Sequence, residues 1–73
     1  MTLSEFVKEK RRQANLTQPE LSEKAGVGLR FVRELEQGKE TLRLDKVNQV
    51  LQLFGYEMGA LPLTRNTPTD EKS

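Results

Sequence analysis

The sequence predicts a small, mainly α fold: four short amphipathic helices followed by a short C-terminal β-strand. Three observations carry this. Apolar residues recur at helical spacing in four successive blocks. Asn15, Gly26, Gly38 and Gly55 punctuate those blocks. After Gly55 the 3.6-residue period gives way to alternation. The 73 residues allow one small domain, with helices over 1–55, a strand-like segment over 56–63 and a polar tail over 64–73.

The first helix is expected over Leu3 to Ala14. Thr2 with Glu5 makes a capping box, Leu3, Phe6 and Val7 make a narrow apolar face, and Lys10 or Arg11 extends that face with an aliphatic stem. Asn15 tolerates the left-handed conformation that ends a helix. The second helix opens on another capping box, Thr17 with Glu20, and Pro19 falls in the first turn, where a missing N–H costs nothing. Leu21 and Ala25 point inward. A turn at Ala25-Gly26-Val27 leads to a third helix, from Gly28 or Leu29 to Gln37, with Val32 and Leu35 inward and Phe31 beside them. Its outer side carries Leu29, Arg30, Arg33, Glu34 and Gln37. The fourth helix, Arg43 to Phe54, shows a wide stripe of Leu44, Val47, Val50, Leu51 and Phe54.

From Tyr56 onward, Tyr56, Met58 and Ala60 alternate with Glu57, Gly59 and Leu61. A lone strand leaves its backbone polar groups without partners. Pairing with the same strand of a second copy is the economical solution, with an extended, partly packed tail as the alternative. Phe54, Tyr56, Met58, Ala60 and Leu61 are the expected dimer residues. Residues 64–73 hold no large apolar side chain and are expected to be disordered.

Composition excludes several classes. There is no cysteine and no histidine, which removes disulfides, thiolate or imidazole metal sites and His- or Cys-based catalysis. The three serines, Ser4, Ser22 and Ser73, have no histidine to activate them, so an enzyme is not expected, nor a cofactor. No apolar run approaches the ~20 residues of a membrane span, and the N-terminus lacks signal-peptide character, so a cytoplasmic location is expected. The net charge of +1 is unremarkable, but residues 1–46 carry ten Lys/Arg against eight Asp/Glu while 47–73 carry two against three. A domain this small buries only ~60% of its unfolded surface, which favours an oligomer.

The two central helices have the spacing of a helix-turn-helix. Ser22, Ala25 and Gly26 are small where the helices approach, and Leu21, Val27, Val32 and Leu35 lock the third helix to the others. Thr17 and Gln18 form a polar first turn able to meet a phosphate, and long polar side chains line the outer face of the third helix.

The segments Leu16-Thr17-Gln18-x-Glu20-Leu21, Ala25-Gly26-Val27 and Leu35-Glu36-x-Gly38-Lys39 resemble the helix-turn-helix of the Xre-like lambda/434 repressor family, over residues 3 to 55. More narrowly, Gly26 to Lys39 with Leu42 to Tyr56 is similar to HipB-type antitoxins. The resemblance implies a compact lambda-repressor-like DNA-binding domain and a C-terminal strand paired across a homodimer. It also implies a palindromic double-stranded operator, repression of the chain's own operon and a HipA-like serine/threonine kinase partner. A two-fold dimer would set two recognition helices ~34 Å apart. The resemblance further implies an ion pair between Arg11 and Glu36, with Arg11 directed towards a phosphate.

Base contacts are expected from Leu29, Arg30, Arg33 and Glu34. Arg30 suits guanine O6/N7 and Leu29 a thymine methyl, while Glu34 either accepts from a cytosine amino group or pairs with Arg30. Phosphate contacts are expected from Arg11, Thr17, Gln18, Gln37, Lys39 and Arg43. Two positions depart from the family pattern. Gly28 stands where Ser or Thr often caps the recognition helix, and Leu29 where many relatives carry a polar base reader. The competing reading is a protein-interaction module that restrains a kinase without DNA, or a stand-alone repressor without a kinase.

Overall fold

The computed structural model describes residues 1–60, and over them the chain is all-helical: α1 Leu3–Gln13, α2 Gln18–Ala25, α3 Leu29–Glu36 and α4 Leu44–Leu53. Both capping boxes form. Glu5 N–H donates to Thr2 Oγ1 at 3.2 Å and Thr2 N–H to Glu5 Oε1 at 2.9 Å; the same reciprocal pair joins Glu20 and Thr17 at 3.2 and 2.8 Å. The starts of α1 and α2 therefore each satisfy two backbone donors through a neighbouring residue. The backbone bond from Thr2 holds the Glu5 carboxyl below its ordinary range, and Thr17 does the same for Glu20. Asn15 turns the chain out of α1 at φ 58°.

The turn of the helix-turn-helix spans 26–28, one residue later than expected, because Ala25 completes α2. Gly26 takes φ 77°, and the N–H groups of Gly26 and Val27 both reach Ser22 C=O at 3.0 Å. Ser22 is buried where the helices meet, and its hydroxyl is satisfied by Pro19 C=O at 2.8 Å.

Val7, Leu21, Val32, Leu35, Val47, Val50 and Leu51 form the core. α3 packs on α1 and α2, and α4 packs on α2. The stripe of α4 is narrower than expected. Leu44 is 57% exposed, because the seam against α2 centres on Val47, Val50 and Leu51 and leaves the first turn uncovered. Phe54 is half-buried against the chain's own core.

No strand forms among the described residues, so the one expected over 56–63 is not seen within 56–60. Those residues have no strand beside them in a single chain and use other partners. Gly55 reverses the chain at φ 85°, and Tyr56 N–H bonds Leu51 C=O at 2.9 Å. The Tyr56 ring stands edge-on to Phe6, centroids 4.9 Å apart, with Lys10 Nζ 5.3 Å from the tyrosine centroid and 5.5 Å from that of Phe6. Met58 N–H donates to Asn48 Oδ1 at 2.7 Å. Leu61, the rest of the expected strand and the tail 64–73 lie outside the described residues.

Candidate nucleic-acid interface

Three polar side chains from three helices fix the orientation of α3. Glu36, 5% exposed, accepts from Arg11 Nε at 2.7 Å on Oε2 and from Arg11 Nη2 at 3.0 Å on Oε1. Gln18 Nε2 donates to the same Oε1 at 3.1 Å, and Arg11 Nη1 donates to Leu16 C=O at 2.9 Å. Burial pushes the Glu36 carboxyl up, but the hydrogen bonds from Arg11 and Gln18 and the Arg11 charge outweigh it and hold the group below its ordinary range. The hydrogen bond to Glu36 raises the Arg11 guanidinium above its ordinary value.

The expected Arg11–Glu36 pair therefore forms. Gln18 is a third member that no local sequence signal marks: Gln18 and Glu36 are 18 residues apart and meet only through the packing of α2 on α3. Of the five N–H donors of Arg11, three are engaged within the chain, and its side chain is 14% exposed. Arg11 and Gln18 are thus first of all members of this knot, and Gln18 retains one amide hydrogen for an outside acceptor.

With Val32, Leu35 and Glu36 buried, the opposite side of α3 faces out. Arg30 has a side chain 91% exposed, Arg33 and Gln37 are exposed, and Leu29 is half-buried. Glu34 lies between two cations, Oε2 being 3.3 Å from Arg30 Nε and 3.4 Å from Lys39 Nζ. Of its two expected roles, the Arg30 pair is the one formed in the free chain. Gly28 caps α3 with no side-chain bond, which leaves the first amides of that helix open.

Among the phosphate candidates, Thr17 and Lys39 are exposed at the start of α2 and beyond the end of α3. Arg43, the N-cap of α4, holds Asp45 through two bonds of 3.2 and 2.7 Å, and that contact lowers the Asp45 carboxyl below its ordinary range. Both groups are exposed, and such pairs exchange readily.

On another part of the surface, Leu3, Phe6, Leu51, Tyr56 and Met58 line an apolar cleft. Tyr56 and Met58 are 47% and 43% exposed. Of the expected dimer residues, Tyr56, Met58 and Ala60 are exposed in the single chain, whereas Phe54 is largely used internally. Among the described residues, no helix is long and apolar enough to cross a membrane.

Comparison with known proteins agrees with this geometry. Residues 7–61 match the model of the Helix-turn-helix family. Over 51 residues, 70% of this chain and 67% of the relative, the sequence is 51% identical to y4mF of Sinorhizobium fredii, an uncharacterized HTH-type transcriptional regulator.

Proposed function

Because the chain belongs to the helix-turn-helix family, we propose that it is a DNA-binding transcriptional repressor that places α3 in the major groove of a palindromic operator. The supporting observation is the division of α3 into two sides. Val32, Leu35 and Glu36 anchor it inward, while Arg30 and Arg33 project outward beside an uncapped helix start. Leu29, Arg30 and Arg33 supply the base-facing set, with Glu34 paired to Arg30 on the same side. Thr17, Gln18, Gln37, Lys39 and Arg43 supply the phosphate-facing set, and Arg11 acts mainly through Glu36.

The chain works as a homodimer through residues 54–61, represses its own operon in the cytoplasm and restrains a HipA-like kinase as an antitoxin. Support for these finer roles is the resemblance of residues 26–56 to HipB-type antitoxins. A kinase-restraining module without DNA contact is the second reading, favoured by the net charge of only +1.

Fluorescence anisotropy of the full chain on duplex DNA from upstream of its own reading frame tests the proposal. Specific binding about 10³-fold or more tighter than to a scrambled duplex is expected, with a steep inverse dependence on salt. Equal, salt-insensitive binding to both would favour the interaction module. Co-purification with the product of an adjacent kinase-like reading frame, and loss of that kinase's activity, tests the antitoxin role.

A further inference from the structure

Glu34 occupies the middle of the charged face of α3. It touches Arg30 Nε at 3.3 Å and Lys39 Nζ at 3.4 Å, both through Oε2. The second tie is doubled by the backbone, where Lys39 N–H donates to Glu34 C=O at 3.1 Å. Glu34 is itself 26% exposed, so its carboxylate is positioned, while Arg30 is 91% exposed and takes part in no other ion pair among the described residues. Arg30 precedes Glu34 in the helix, the weaker order for an i,i+4 pair, and an exposed pair of this kind is readily exchanged.

Granted the DNA-binding reading above, we infer that Glu34 determines specificity by holding Arg30 and Lys39 back from phosphates, not by reading a base. Non-specific DNA attracts a protein through its phosphates, which a cation must reach by leaving its carboxylate. Random sequence offers Arg30 nothing more, and Glu34, once abandoned, faces a polyanion. A cognate site also offers Arg30 a base edge with two acceptors, which its Nη1 and Nη2 can meet while Nε stays on Glu34, so there the pair need not break. Glu34 therefore weakens binding to every sequence but weakens random binding most, and discrimination is the difference between the two.

The test compares the full wild-type chain with Glu34→Gln, each also in an Arg30→Ala/Lys39→Ala background. All four are titrated against random and upstream duplexes across a salt series, with thermal melts to confirm folding. In the native background, Glu34→Gln is expected to steepen the log–log salt slope for random DNA by about 0.9, one net phosphate contact, because a single carboxylate charge offsets one of the two cations. If the proteins converge near 1 M salt, random binding tightens about eightfold at 0.1 M, and the upstream-to-random ratio falls. In the Arg30→Ala/Lys39→Ala background the same change is expected to alter random binding less than about twofold, the signature of a coupled set.

An equal gain in both backgrounds would reduce Glu34 to a bulk charge and overturn the inference. So would weaker binding to the upstream duplex with random binding unchanged, the behaviour of a base reader. A wild-type chain that binds neither duplex would instead remove the DNA-binding reading itself.

Discussion

Arg11, Gln18 and Glu36 illustrate how a polar contact can be the joint of a small domain. Glu36 is nearly inaccessible, so taking Arg11 away strands a buried carboxylate. Arg11→Ala is expected to lower stability by about 3 kcal/mol in denaturant melts. Gln18→Ala removes one neutral donor and should cost about 1 kcal/mol. The pH dependence has a definite sign. Folding holds the Glu36 carboxyl below its ordinary range, so the unfolded chain takes up the proton first. The stabilisation is complete above the ordinary glutamate value of about 4.3 and is lost as pH falls through the lower folded value. Glu5, Glu20 and Asp45 are lowered too, so Glu36→Gln should make the acid limb of stability shallower without abolishing it. Arg30→Ala should leave the melting curve unchanged while costing about 1–3 kcal/mol of operator discrimination.

Helices, caps and turns were the part of this molecule most open to reading. Thr2 with Glu5 and Thr17 with Glu20 act within four residues, so their pattern is written locally and both boxes form. Leu44 departs from the expected stripe because periodicity reports which side of a helix is apolar, not how far the opposing helix extends. The Gln18 contact escaped because it depends on how two elements pack. The break after Gly55 was legible as a change of period, but alternation does not say which partner the segment meets, and within the chain Phe6 and Asn48 supply contacts. Two glycines in the motif make opposite predictions at this scale. Gly26 sits at φ 77°, with Gln49 Nε2 3.7 Å from an added Cβ, so Gly26→Ala meets backbone strain and not a clash, at about 1–2 kcal/mol. Gly28 has an extended backbone and open space around it, so Gly28→Ser should add a cap to α3 and about a few tenths of a kcal/mol, read as a higher denaturant midpoint.

The arrangement of the whole molecule separates its surfaces by chemistry. The outer side of α3 is charged, while the cleft between the start of α1 and the segment after α4 is apolar. On the proposed reading, a second copy would cover the apolar cleft while DNA meets the charged side of α3. Deleting residues 56–73 should therefore convert a dimer into a monomer by sedimentation at micromolar concentration. It should also weaken operator binding far more than binding to an isolated half-site, because the second recognition helix is no longer delivered. Sedimentation of the full chain as a monomer would remove the dimer proposal and leave the reading of α3 standing.

The packing of Tyr56 against Phe6 also makes the chain its own optical probe. Tyr56 is the single tyrosine and there is no tryptophan. Tyrosine emission therefore comes from one address, a ring that joins the end of the helical unit to α1 under the ammonium of Lys10. Without any added dye, its intensity and polarisation would follow whatever comes to cover that ring, and dilution would show the cover leaving while the helices remained folded by circular dichroism.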